Sequence, residues 1–210
     1  MFAGENGLQG DPRLKAISDS IRVIPHFPKP GIMFQDITTL MLNPEVYKDV
    51  IDIFVDRYKD MKVTVVAGNS RLPRFLINNY EVFKGIEARG FLFGPAVALA
   101  IGAKFVPLRK PGKLPGEVIR ENYELEYGTD RLEMHVEAVG VGDRVVIMDD
   151  LVATGGTLCA GMRLLERVGG DVVECACVIG LPRFKGKCKL NGKPLYILVE
   201  PRKYMSCLRT

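Results

Sequence analysis

The stretch from Val145 to Thr157 combines an apolar strand, two adjacent acids and a glycine turn that leads into a helical pattern. Glycines let backbone N–H groups approach an anion closely, threonines add hydroxyl donors, and a helix N-terminus adds a favourable dipole. This order of residues therefore predicts a phosphate site between a strand and a helix. The residues predicted to hold the phosphate are Ala153, Thr154, Gly155, Gly156 and Thr157.

The adjacent carboxylates of Asp149 and Asp150 would be costly to bury unless they bind a partner. Ribose hydroxyls, or a Mg²⁺ ion carried with the substrate, are suitable partners. A capped turn with two solvated acids is the structural alternative, which the neighbouring glycine turn disfavours. Other phosphate motifs fail, because no Gly-x-Gly-x-x-Gly follows a strand, and two stretches with P-loop spacing continue with Phe91 and Met162 instead of lysine.

Predicted strands and helices alternate along the chain around this turn. Helices are predicted at about 43–59, 91–101 and 157–168, and strands at 63–67, 104–108, 145–148, 172–179 and 195–199. An exposed hairpin is predicted from residues 123–125 and 132–136 around Gly128. The alternation indicates an α/β fold whose mainly parallel sheet binds ligands beyond the carboxyl ends of its strands. No repeat or linker divides residues 1–210, so we expect a single domain.

Composition excludes several classes of protein. The chain is 47% hydrophobic and 26% charged with a net charge of +4, and its charges are interleaved, so we expect no nucleic-acid partner. The uncharged stretch 90–103 is shorter than the roughly 20 residues of a membrane span. The first residues lack a secretory pattern, which predicts a cytoplasmic, reducing location. Five cysteines and two histidines lack zinc-site spacing, so we expect no metal site and buried reduced thiols at Cys175 and Cys177.

Residues 145–157 resemble the phosphoribosyl pyrophosphate signature of the type I phosphoribosyltransferases. From about residue 11 to 201 the chain is similar to the adenine phosphoribosyltransferases, especially the plant forms, with further matching motifs at 27–36, 87–91, 108–116 and 125–128. The resemblance implies a mainly parallel central sheet flanked by helices, with a small hood and a mobile catalytic hairpin loop. It also implies a homodimer that forms AMP and pyrophosphate from adenine and phosphoribosyl pyrophosphate, with Mg²⁺ carried on the latter.

The same resemblance assigns the phosphoribosyl pyrophosphate contacts residue by residue. Residues 153–157 would hold the 5′-phosphate, and Asp149 and Asp150 would face the ribose hydroxyls. The pyrophosphate contacts would come from Ala88, Arg89, Arg109, Lys110 and Lys113, partly across the dimer interface. Residues 109–135, rich in glycine, proline and charge and poor in core residues, would form the mobile lid. Without the resemblance, the lysines fit a solvated basic loop equally well.

The resemblance also assigns the base pocket and the catalytic groups. The base-binding residues would be Met33, Phe34, Gln35 and Leu181, with Phe34 stacked on the purine and the backbone reading its edge. A core position is the alternative for Phe34, because aromatic residues are first of all core residues. Glu126 would handle a proton on the purine ring and Arg89 would be the second catalytic residue. The alternative for Glu126 is a cross-strand charge partner in the hairpin.

Residues 69–85 form an insertion that the family pattern does not contain, immediately before the pyrophosphate loop. A long surface insertion costs little loop-closure entropy, so we expect an intact fold with weakened pyrophosphate handling. Two alternative functions stay open. One is a non-catalytic regulator that binds phosphoribosyl pyrophosphate, and the other is a transferase for another nucleobase, namely hypoxanthine, xanthine or orotate.

Overall fold

A computed structural model describes residues 8–69, 89–125, 128–181 and 190–202, which are called the described residues. Their helices are α1 (Pro12–Ser20), α2 (Pro44–Tyr58), α3 (Gly94–Ile101) and α4 (Gly156–Glu166). Their strands are β1 (Arg22–Pro25), β2 (Met33–Asp36), β3 (Val65–Asn69), β4 (Lys104–Leu108), β5 (Val118–Leu125), β6 (Gly128–His135), β7 (Arg144–Val152), β8 (Asp171–Gly180) and β9 (Leu195–Val199). None of the described helices is both long and apolar enough to cross a membrane.

Five strands form one parallel sheet in the order β4-β3-β7-β8-β9. The chain adds β4 on one side of β3 and adds β8 and β9 on the far side of β7, so the strand order reverses between β3 and β7. Open α/β sheets bind ligands at such a reversal, beyond the carboxyl ends of the strands. Gly68 of β3 pairs there with Met148 of β7, next to Asp149. The predicted α/β fold is confirmed.

Several elements match the sequence-based prediction closely. Helix α2 begins as expected, because the Asn43 side chain accepts hydrogen bonds from the N–H groups of Glu45 at 3.2 Å and Val46 at 3.4 Å. Strands β4 and β9 have the predicted bounds, whereas β7 continues to Val152 and therefore includes both acids. Helix α1 was not predicted. Strands β1 and β2 were not predicted either, because four residues are too few to show a periodicity.

Alternate residues of the sheet pack on its two faces. In β8, Cys175 and Cys177 join the buried cluster that includes α4, while Ala176 and Val178 join the cluster formed with α1, α2 and α3. Burial raises the pKa of Cys175 to about 12 and that of Cys177 well above its ordinary range. These two cysteines are the expected buried free thiols. Cys159, in contrast, is disulfide-bonded.

The antiparallel hairpin of β5 and β6 is longer and better anchored than the sequence predicts. Its arms pair from Val118 opposite His135 to Leu125 opposite Gly128. Tyr123, Leu132 and Met134 are buried in the cluster that includes α4, which packs against β5. The interpretation of 109–135 as poor in core residues is therefore wrong for this part of the hairpin, because its apolar side chains alternate onto the face that meets α4. Mobility of the lid stays a prediction.

A second two-stranded sheet, β1 with β2, forms the small hood. Arg22 at one end donates to the Asp36 carboxylate at the other strand's end, with 2.6 Å between Nη2 and Oδ2, and the Thr38 hydroxyl donates to Asp36 Oδ1 at 2.6 Å. Burial alone would raise the pKa of Asp36, but the hydrogen bonds from Thr38 and Arg22 hold that pKa below its usual value. The carboxylate thus fixes the strand that carries the predicted base-binding residues.

Candidate active site

The phosphate turn connects the end of β7 to the start of α4. Gly155 has a φ of 82°, in the left-handed region that favours glycine, and Gly156 is the first helical residue. The Thr157 hydroxyl is buried and has no hydrogen-bond partner among the described residues. An unsatisfied buried hydroxyl costs about 1–3 kcal/mol, so this position favours a ligand that brings acceptor oxygens. A small recess at this turn is lined by Asp149, Ala153, Gly155 and Thr157.

Both acids of the pair are buried, at 5% exposure for Asp149 and 4% for Asp150. Asp149 Oδ1 accepts a hydrogen bond from the Asp150 N–H at 2.9 Å. Because β7 extends beyond them, successive side chains point to opposite faces of the strand, and Asp149 is the one that lines the phosphate recess. The alternative of two solvated acids is wrong, since neither carboxylate is exposed to solvent.

An aromatic pair lies next to Arg109, one of the residues predicted to bind pyrophosphate. Phe91, in the turn Arg89–Leu92, packs edge-on against Phe105 of β4 with 5.4 Å between ring centroids. A Cβ at Gly68 would lie 2.6 Å from the Phe105 ring, so only glycine fits at the carboxyl end of β3. The Arg109 guanidinium carbon lies 5.5 Å from the Phe91 centroid, and Arg109 Nε is buried without a hydrogen-bond partner in the described part of the chain. Arg109 Nε and the Thr157 hydroxyl are thus two buried donors that favour a ligand with acceptor oxygens.

The basic loop, residues 109–113, is attached to β6. The Arg109 N–H donates to the Glu133 carbonyl at 2.9 Å, and the Glu133 N–H donates to the Arg109 carbonyl at 2.7 Å. Lys110 pairs with Asp130 at 3.4 Å, and Lys113 is exposed. Sequence reasoning missed Glu133, because an acid between two apolar residues of a strand normally points to solvent. Only the structure, in which Glu133 is 2% exposed, shows that this acid points into the protein.

The predicted base-binding strand is β2. Phe34 packs edge-on against Phe27 with centroids 5.0 Å apart and stays partly exposed, and Met33 is 43% exposed. Gln35 is buried, and its amide exchanges two hydrogen bonds with the backbone of Arg202, at 3.2 and 3.3 Å. The side chain of Gln35 therefore binds the backbone at Arg202, and its part in base binding stays a prediction.

Strand β8 brings the last predicted base residue to the phosphate turn. The Leu181 N–H donates to the Val152 carbonyl at 2.8 Å, which joins the ends of β7 and β8. Three predicted contacts lie outside what the structure describes: Ala88, the side chain of Arg89, and Glu126. Their roles stay predictions.

The described residues contain no cluster of three or more His, Cys, Asp or Glu side chains that could hold a metal ion. A Mg²⁺ ion that arrives on phosphate oxygens needs no such cluster, since Mg²⁺ commonly binds through one or two carboxylates together with substrate phosphates. The buried carboxylate of Asp149, which lines the recess, fits that mode of binding.

A parallel sheet with a glycine turn and, at its carboxyl edge, two buried donors that no described residue accepts from is typical of a protein that binds a phosphorylated ligand. The family profile of the phosphoribosyl transferase domain matches residues 37–193. The chain belongs to the phosphoribosyltransferase family.

Within that family its relatives are adenine phosphoribosyltransferases. Adenine phosphoribosyltransferase 2 of Arabidopsis thaliana is 69% identical over 204 residues, with 97% of each chain covered. The adenine phosphoribosyltransferase of Serratia proteamaculans (strain 568) is 48% identical over 90% of this chain and 87% of its own. The Saccharomyces cerevisiae enzyme, solved with adenine and an imino-altritol bisphosphate, matches at 35% identity and a TM-score of 0.76, covering 90% and 99% of the two chains.

Proposed function

We propose that this chain transfers the phosphoribosyl group of phosphoribosyl pyrophosphate to adenine and releases AMP and pyrophosphate. The observation that carries this proposal is a pair of buried donors, Thr157 Oγ1 on the turn after β7 and Arg109 Nε at the end of β4, that find no acceptor among the described residues. A substrate with a phosphate at one end and a pyrophosphate at the other would supply acceptors to both. The identity of the relatives supports adenine as the acceptor base.

Bond exchange at the anomeric carbon passes through a cationic, oxocarbenium-like state as pyrophosphate leaves. The turn of residues 153–157 would hold the 5′-phosphate with backbone N–H groups, and Asp149 and Asp150 would accept from the ribose hydroxyls. Arg109 would place positive charge beside the leaving group, with Arg89, Ala88, Lys110 and Lys113 as its neighbours. Mg²⁺ on the pyrophosphate oxygens would neutralise further charge.

For the base, Phe34 would stack on the purine ring while the backbone beside Met33 and Gln35 reads its edge. Leu181 would close the pocket, and Glu126 would take up the proton displaced from the ring nitrogen that bonds to ribose. The partly exposed ring of Phe34 supports this role, since a core phenylalanine would be fully covered.

Base competition tests the proposal most directly. With phosphoribosyl pyrophosphate and Mg²⁺ present, we expect adenine to give AMP and pyrophosphate with a kcat/KM at least about a hundredfold above those of hypoxanthine, xanthine and orotate. A pocket that hydrogen-bonds one base leaves its buried groups unpaired with another, which supports discrimination of this size. Preference for a different base would identify a sibling transferase. Binding of phosphoribosyl pyrophosphate without pyrophosphate release for any base would identify the regulator.

Three further expectations belong to this proposal: a homodimer, a cytoplasmic location and a single domain. The location needs its own test, since one relative of this chain, 62% identical, is a chloroplastic enzyme of Arabidopsis thaliana.

Removal of the insertion, residues 69–85, is expected to raise kcat/KM for phosphoribosyl pyrophosphate, by about a hundredfold at most. The described sheet forms on both sides of the segment, which supports the expectation of an intact fold, but groups such as Arg89 follow the segment directly. Asn69 ends β3 and pairs with Leu108, so a second variant that lacks only residues 70–85 controls for lost strand pairing. Equal kcat/KM in all three forms would contradict weakened pyrophosphate handling.

A further inference from the structure

Glu133 is a buried carboxylate that the proposed chemistry does not use. It lies on β6 between Leu132 and Met134, with its side chain 3% exposed. Oε2 accepts a hydrogen bond from the Gly112 N–H at 3.0 Å, and Oε1 accepts from Arg120 Nε at 3.0 Å. A buried carboxylate is costly unless its oxygens are bonded, so these two partners account for its presence.

The Glu133 side chain determines the path of the basic loop. Gly112 has a φ of 71°, and its N–H is directed at the carboxylate. The backbone of Glu133 holds the other end of the loop through its two hydrogen bonds with Arg109. One residue of β6 therefore fixes residues 109–113 at both ends.

The attachment positions the loop that carries the cations Arg109, Lys110 and Lys113. Lys110 is already paired with Asp130, and the Glu133 charge is paired with Arg120. Glu133 therefore acts on the loop through hydrogen bonds to its backbone.

The attachment also holds Arg109, whose guanidinium lies near Phe91. No described residue accepts a hydrogen bond from its Nε. The Arg109 side chain is therefore in place before an anion binds.

We propose that Glu133 is a positioning residue for pyrophosphate: its carboxylate holds the basic loop so that Arg109 and the loop lysines receive the diphosphate of the substrate and of the product. This inference rests on the proposed function and adds to it a residue that touches neither substrate. Its effect belongs to the diphosphate and not to adenine, because the base-binding strand β2 lies in the separate two-stranded sheet.

Steady-state kinetics of Glu133→Ala and Glu133→Gln test the proposal. Alanine removes both hydrogen bonds, and we expect KM for phosphoribosyl pyrophosphate and the inhibition constant of pyrophosphate each to rise about tenfold, with KM for adenine changed less than about twofold. Glutamine keeps an acceptor for the Gly112 N–H, so it should restore both constants to within about threefold of wild type. Glu133→Asp, whose carboxylate is one methylene short of Gly112, replaces the alanine variant if that variant does not fold, and the same increases are expected.

The matched control is Glu121→Gln. Glu121 is another acid of the hairpin, paired with Arg163 at 2.7 Å and Arg167 at 3.1 Å, away from the basic loop. The Glu121→Gln variant is expected to have a lower melting temperature than wild type and an unchanged inhibition constant for pyrophosphate. If the Glu133 variants lose only thermal stability, or if adenine and phosphoribosyl pyrophosphate are affected equally, the positioning role is overturned. A wild-type protein without AMP formation would instead refute the proposed function.

Discussion

The double variant Asp149→Asn/Asp150→Asn is expected to lower kcat/KM for phosphoribosyl pyrophosphate by about a hundredfold to ten-thousandfold. In the proposed function each carboxylate accepts from a ribose hydroxyl, so the variant weakens two hydrogen bonds. A hydrogen bond to a charged group contributes about 1.5–3 kcal/mol. Each 1.4 kcal/mol corresponds to a factor of ten. The kinetic measurement is the initial rate of AMP formation at several concentrations of phosphoribosyl pyrophosphate.

The same variant should keep its thermal stability. Both carboxylates are buried at adjacent positions of β7, and neutral amides lower the desolvation cost of two buried charges. The amide oxygen introduced at position 149 can still accept from the following N–H. The melting temperature is therefore expected to stay equal or to rise. The control is Asp171→Asn, at an exposed carboxylate at the start of β8. It should leave both kcat/KM for phosphoribosyl pyrophosphate and the melting temperature unchanged. Normal turnover in the double variant would show that the ribose site is elsewhere.

Glu174→Ala is expected to cause a large loss of stability. The Glu174 carboxylate is 2% exposed and accepts from Arg57 through Nε and Nη2, each at 2.6 Å, and from the Tyr58 hydroxyl at 2.9 Å. Arg57 also stacks on Tyr196, with its guanidinium carbon 3.9 Å from the ring centroid. Removing one partner of a buried pair costs about 3–5 kcal/mol, which corresponds to a drop of about 6–20 °C in the melting temperature.

Thermal unfolding followed by circular dichroism measures this effect. Glu166→Ala, at an exposed acid of α4, is the matched control and should shift the melting temperature by less than about 2 °C. A similar shift of the melting temperature in both variants would mean that the Arg57–Glu174 pair contributes no more to stability than an exposed charge does. The cluster joins α2 to β8 and β9 and includes none of the predicted site residues, so the KM values of the folded fraction should not change.

The glycine turn after β7 could be predicted from sequence because its conformation depends on neighbouring residues. Gly155 takes the left-handed backbone that the turn needs, and the helix begins at Gly156, one residue before its predicted start. The strand bounds were less predictable. Asp149 and Asp150 lie within β7 and not after it, since pairing with β8 extends the strand beyond its apolar run.

The hairpin shows where a local pattern misleads. The pattern around Gly128 correctly predicts two paired strands, although Gly128 itself begins β6. The pattern cannot tell that α4 covers one face, which buries Tyr123 and Leu132. Nor can it tell that Glu133 points inward, because the groups that satisfy its carboxylate, Gly112 and Arg120, lie 21 and 13 residues away.

The sequence by itself determined the α/β class, the glycine turn between a strand and a helix and, by resemblance, the family, because these depend on residue order over short stretches. Only the tertiary structure decided how the parts of the site are held together. Phe91 and Phe105 meet over Gly68, and the Gln35 amide binds the Arg202 backbone across 167 positions of the chain. Such contacts form when strands and loops distant in sequence are packed side by side, and no periodicity within either segment encodes them.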